Sequence, residues 1–146
     1  MKLAIGADHR GFAIKEYIKK HITEQSDDIV WLDVGAFNDE RSDYPVFAKA
    51  VAQALVDGEV EGGVLLCGSG AGVAMGANRF KGIYAALVWN DDLAREAKEH
   101  DHANVLALPA DYISGEQAVS MIRTWLGAQE LNGRYQERVD MLDMLP

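Results

Sequence analysis

Cys67 is the only cysteine of the chain, and it closes an apolar run, Gly62-Gly-Val-Leu-Leu66, directly before a glycine-rich loop, Gly68-Ser-Gly-Ala-Gly72. A thiol at a strand end, followed by backbone amides that glycine leaves accessible, puts a base or nucleophile beside an anion site. Asp8-His9 follows the first apolar run, and His100-Asp101-His102 ends a charged segment. Arg134 and Arg138, four residues apart, set two guanidiniums on one helix face. Each feature also has a plain structural reading. Cys67 serves as a small buried hydrophobe, Asp8 as a helix cap and His100 as a complement to a helix dipole. The two arginines serve as a solvated face paired with Glu137 or Asp140.

Familiar catalytic loops do not fit. The nucleophile elbow needs glycines two before and two after Ser69, where the chain has Cys67 and Ala71. The third glycine of a dinucleotide fingerprint falls on Val73, and so does the arginine that a thiol phosphatase requires. No lysine follows the glycines as in a phosphate-binding P-loop. His100 and His102, two apart on a helix, do not share a face, so no metal site and no cofactor are expected.

These groups need elements to hold them. Leu3–Ala7, Ile29–Leu32, Val64–Cys67, Ala85–Val88 and Val105–Leu108 are short apolar runs that read as buried strands. Between them, Phe12, Ile14, Tyr17, Ile18 and Ile22 recur at helical spacing, as do Val46, Phe47, Ala50, Val51, Ala54 and Leu55. The glycine loop opens a helix, and Asp91–Asp101 and Ser114–Leu126 form two more, the last with a Ser114/Gln117 capping box. Asp43-Tyr44-Pro45 reads as a helix entry. Residues 127–133 form a connector and Arg134–Leu145 a terminal helix. The alternation predicts an α/β fold, a three-layer α/β/α sandwich with a five-stranded parallel sheet and an extra C-terminal helix. In such sheets ligands bind beyond the carboxyl ends of the strands, where Asp8-His9, Cys67–Gly72 and Asn90-Asp91 fall.

With 146 residues, 49% of them apolar, the chain is long enough for one domain with a real core, taken as residues 1–146. A net charge of -9 argues against nucleic acid or an acidic membrane surface as partner. No apolar stretch approaches a membrane span and no internal disulfide is possible, so a soluble, cytoplasmic protein is expected.

Asp8-His9-Arg-Gly11, Arg41-Ser-Asp-Tyr-Pro45, Cys67-Gly-Ser-Gly-Ala-Gly72, Ala77-Asn-Arg79, His100 with Asn104-Val-Leu-Ala107, and Gly133-Arg-Tyr-Gln-Glu-Arg-Val139 occur in this order. Together they resemble the family of ribose-5-phosphate isomerase B and galactose-6-phosphate isomerase, nearly end to end. The resemblance implies a Rossmann-like sandwich, a homodimer or dimer of dimers with sites at the subunit interface, and metal-free aldose–ketose isomerisation of a sugar or sugar phosphate. It implies Cys67 as the base, Ser69 as a proton relay, His100 as the group that opens the furanose ring and Asp8 as a binder of sugar hydroxyls. Gly68, Gly70, Ala71 and Gly72 would hold the enediolate. His9, Arg134 and Arg138 would hold phosphate, with Asp101 among the substrate contacts. Such a reaction needs a base to shuttle one proton and donors for the developing oxyanion, and Cys67 with its loop offers both.

Three positions depart from the family pattern. Where the family has Gly, any residue and a phosphate-binding Arg after the last strand, this chain has Pro109-Ala110-Asp111. Asp101 stands in place of Asn, and Tyr135 in place of His. An anion in place of a cation weakens phosphate binding. Two substrate readings therefore stand, a sugar phosphate held by His9, Arg134 and Arg138, or an unphosphorylated or acidic sugar. A third reading is a sugar-binding module without activity, in which a base beside an oxyanion loop has no use.

Overall fold

The computed structural model describes residues 1–146. Five strands form one all-parallel sheet: β1 (Lys2–Ala7), β2 (Val30–Asp33), β3 (Gly62–Cys67), β4 (Ala85–Leu87) and β5 (Val105–Pro109). Their order across the sheet is β2-β1-β3-β5-β4. The helices are α1 (Phe12–His21), α2 (Glu24–Asp27), α3 (Tyr44–Val56), α4 (Ala71–Ala77), α5 (Asp91–Asp101), α6 (Gly115–Gly127) and α7 (Arg134–Asp143).

Side chains alternate across each strand, and this divides the core in two. Leu3, Ile5, Ala7, Val64, Leu66, Leu106 and Leu108 pack with α1, α5 and α6, around the fully buried Trp125. Ala4, Leu65, Cys67, Val105 and Ala107 pack with α3 and α4. Because both faces are covered, the central strands read as unbroken apolar runs. A Cβ on Gly63 would stand 2.5 Å from a Val51 methyl, so this glycine lets α3 settle directly onto the sheet.

The expected elements form, with differences at the edges. The outer strand β2 starts one residue after Ile29, which is buried, while Val30 is exposed. The other edge strand, β4, has three residues and stops before Val88. Edge strands have one neighbour to fix them and are short for that reason. The single turn α2 was not legible as periodicity, since a mutual Thr23–Ser26 cap makes it without any apolar face. In α6 the Ser114 hydroxyl accepts the Gln117 N–H at 3.1 Å and Gln117 Oε1 accepts the Ser114 N–H at 2.8 Å. The terminal helix α7 packs on α5 and ends at Asp143, two residues before Leu145.

From β1 the chain turns to β2 on one side, and from β3 it crosses to β4 on the other. The crevice of this sheet therefore opens between the carboxyl ends of β1 and β3. No helix of the chain is long and apolar enough to cross a membrane.

Candidate active site at the carboxyl edge of the sheet

Strand pairing of Ala7 with Leu66 brings Asp8 and Cys67 to the same edge. Cys67 is 4% exposed, and its sulfur accepts the Gly70 N–H at 3.1 Å. Gly70 reaches this position with φ of 75°, and a Cβ there would stand 2.5 Å from Leu87 and 3.0 Å from the Leu108 carbonyl carbon. The loop conformation and its packing thus both require glycine. Cys67 is a core residue, as its plain reading has it, and its sulfur is also held by a backbone donor. Ser69 stands exposed beyond it, its hydroxyl oxygen accepting the Ala71 N–H at 3.2 Å. That hydroxyl keeps its own proton to donate.

Asp8 is 6% exposed, and one carboxylate oxygen accepts the N–H groups of Arg10 at 3.0 Å and Gly11 at 3.2 Å. These bonds close the turn before α1, whose N-cap is Gly11 with no side-chain cap, so Asp8 is not the helix cap of its plain reading, and its second oxygen stays available. His9 donates its backbone N–H to the Ser42 hydroxyl at 3.0 Å, and its Nδ1 lies 3.2 Å from the Ser42 backbone. The Nε2 side of the ring is left for a ligand.

Two further residues at this edge were not singled out from the sequence. The Tyr44 ring covers Gly72, where a Cβ would stand 2.8 Å from it. Asp43-Tyr44-Pro45 does enter a helix as expected, and the same turn delivers Tyr44 to the loop. The Arg10 guanidinium covers Gly68 and is ion-paired with Asp111. The anion that stands in place of the family's cation at 111 is thus charge-paired, because β1 and β5 flank β3 and their following loops meet above it. Asn90 caps α5 through the Leu93 N–H and Asp91 accepts the Ser120 hydroxyl, so this pair is structural.

His100, Asp101, Arg134 and Arg138 are not at this edge. Helix α5 starts after β4 and runs back along the sheet, so nine residues carry His100 about 14 Å toward the amino ends of the strands. There His100 stacks on Tyr135, with ring centroids 4.7 Å apart and planes 9° from parallel. Arg134 donates to the Tyr135 hydroxyl at 3.0 Å, which raises its pKa further, and the guanidinium carbons of Arg134 and Arg138 lie 5.0 and 6.0 Å from the Tyr135 ring centre. Neither arginine pairs with Glu137 or Asp140; Asp140 accepts from Gln136 instead. A cavity of about 290 Å³ is lined by His100, Asp101, Tyr135 and Arg138, with no residue of the 67–72 loop. Asp101 also borders a cavity of about 810 Å³ with Tyr84. Burial first, and then the hydrogen-bonded Asp143 carboxylate, push the Tyr84 phenol up to about 12. His102 turns away from His100 and meets the Leu131 carbonyl at 2.8 Å.

A parallel sheet with a buried thiol, a glycine loop and a buried carboxylate at the carboxyl ends of its central strands places the chain among α/β proteins that hold small ligands at that edge. The family model for ribose/galactose isomerases matches residues 3–142, and the chain belongs to that family. Ribose-5-phosphate isomerase B of Escherichia coli K12 is 40% identical over 141 residues, 97% of this chain and 93% of that protein. The crystal structure of a ribose 5-phosphate isomerase from Thermotoga maritima, 38% identical, superposes with a TM-score of 0.94 over 99% of this chain and 98% of that one. The Mycoplasma genitalium ribose-5-phosphate isomerase B with bound ribulose-5-phosphate, 34% identical, superposes at 0.89 over 97% and 93%.

Proposed function

We propose that this chain is an aldose–ketose isomerase that interconverts ribose 5-phosphate and ribulose 5-phosphate, with Cys67 as the base. The observation that supports this reading most is the Gly70 N–H held 3.1 Å from the Cys67 sulfur, which fixes the sulfur at the mouth of the amide loop that would receive the enediolate oxygen. The thiolate removes the C2 proton of the open-chain aldose. The electron pair forms the C1–C2 double bond of the enediolate and the carbonyl electrons move to O1, which the loop amides of Gly68 to Gly72 receive. The protonated sulfur then returns its proton to C1, while the Ser69 hydroxyl passes a proton between the two oxygens. The second oxygen of Asp8 orients a sugar hydroxyl.

His100 opens the furanose ring, and Arg134, Arg138 and His9 hold the phosphate. Since the loop and His100 stand at opposite edges of one chain, a complete site takes Cys67 from one copy and the α5–α7 edge from another. The protein is then a homodimer or a dimer of dimers. Met141, Leu142, Met144 and Leu145 are all exposed at the end of the chain, an apolar strip of the kind that subunits cover. A lone reduced thiol as base fits a cytoplasmic location. The reading as an isomerase of unphosphorylated or acidic sugars loses its main support, because Asp111 is charge-paired. The test is ketose formation from ribose 5-phosphate and from a panel of unphosphorylated aldoses, beside Cys67→Ala. Turnover of the phosphorylated sugar that the substitution abolishes is expected, and turnover of unphosphorylated sugars alone would refute the substrate class.

A further inference from the structure

Arg10 and Asp111 have no part in the steps above, yet they are built into the reactive loop. Asp111 is tied to it through its backbone N–H, which donates to the Gly68 carbonyl at 3.0 Å, and its carboxylate takes Arg10 Nη2. Arg10 is tied at its other end, its backbone N–H donating to Asp8 at 3.0 Å. Between these anchors the guanidinium lies over Gly68. Its Cζ, Nε and Nη1 are 2.6, 2.7 and 2.8 Å from where a Cβ would stand, so any other residue at 68 displaces it. Fixed as it is, the Arg10 side chain remains 57% exposed, with N–H groups beyond the one given to Asp111.

We infer that Arg10 is a substrate-contacting residue that reads the anionic end of the sugar phosphate, and that Asp111 sets the strength of that contact by offsetting its charge. The inference rests on the isomerase reading. A bare guanidinium fixed beside the loop binds a phosphate dianion strongly. One partnered by a carboxylate still donates hydrogen bonds, but attracts the dianion less. Substrate and product of this isomerisation carry the same phosphate, so extra grip on it is uniform binding that lowers KM and does nothing for the chemical step. Asp111 limits that grip.

The test is titration calorimetry with inorganic phosphate on the full-length wild type, Arg10→Ala, Arg10→Lys and Asp111→Asn, beside steady-state kinetics with ribose 5-phosphate. Arg10→Ala is expected to weaken phosphate binding and raise KM about tenfold with kcat within about twofold, and Arg10→Lys to recover part of the loss. Asp111→Asn keeps a carbonyl acceptor for the guanidinium and removes the charge. It is expected to tighten phosphate about three- to tenfold, a gain that shrinks at about 0.3 M KCl. Phosphate affinity unchanged in Arg10→Ala, weaker in Asp111→Asn, or absent from the wild type overturns the inference. A wild type that shows this binding pattern but isomerises no aldose phosphate overturns the isomerase reading instead.

Discussion

His100 stacks on Tyr135 at 4.7 Å, at the far edge of the sheet from Cys67. If both groups act on one substrate, each functional site is shared between copies. A mixture of Cys67→Ala and His100→Ala chains then regains activity, because a mixed dimer holds one site with both residues intact. With random pairing, roughly a quarter of wild-type activity is expected after co-refolding. Light scattering should give a mass above that of one chain, and mixtures that stay as inactive as the parents would rule out the shared site.

Cys67→Ala should lower kcat by about 10²–10⁴-fold, the range of a single general base. Loss of one buried sulfur costs only about 1 kcal/mol of stability, so the melting temperature should fall by about 3 °C. Gly70→Ala should behave differently. Its new methyl meets Leu87 at 2.5 Å at a φ of 75°, so it should lose about 1–3 kcal/mol and much of kcat together. Denaturant titration beside the activity assay separates the two. A fully active Gly70→Ala would show that the loop geometry is not needed.

The sheet, its order of elements and the glycine loop were legible because they rest on local signals. Val64–Cys67 is an apolar run, Gly70 marks a backbone that no other residue adopts cheaply, and Ser114 with Gln117 is a cap. Arg10 over Gly68 was not legible, since that contact joins loops after β1, β3 and β5 that are up to 101 positions apart. For the same reason the sequence shows Asp111 only as an anion in place of a cation, without its partner Arg10. Tyr44 was read only as part of a helix entry, which it is, and nothing in its local pattern announces the ring's position over Gly72. The distance between His100 and Cys67 follows from the direction of α5, which fixes where its end lies only once the sheet order is known.

Tyr135 ties His100 to Arg134 and Arg138, and two substitutions separate those ties. Tyr135→Phe keeps the stack on His100 but removes the hydroxyl that accepts from Arg134. A lost hydrogen bond of about 1 kcal/mol should raise KM for ribose 5-phosphate about fivefold and leave kcat alone. Tyr135→Leu also releases His100 from a contact worth about 0.5–1.5 kcal/mol. It should add a lag in stopped-flow progress curves, as ring opening slows. Equal effects of the two substitutions on both parameters would show that Tyr135 acts only by filling space.

Away from the site, Arg123 binds Asp27 at 2.8 and 3.1 Å and so joins α6 to the single turn α2. The hydrogen bond from Arg123 is the largest influence on Asp27 and holds its pKa at about 2, below the usual 3.8. A carboxylate depressed in the folded state stabilises the protein while it is ionised in both states. That contribution is complete above about pH 4, and it fades as pH falls through the folded pKa of about 2. Half of the Arg123 side chain is exposed, so solvent screening reduces the contribution to about 1 kcal/mol. Urea titrations should therefore find Asp27→Asn less stable than wild type by about that amount at neutral pH. The gap should narrow steadily from pH 4 toward 2, and a gap independent of pH would mean that the substitution acts through packing rather than charge.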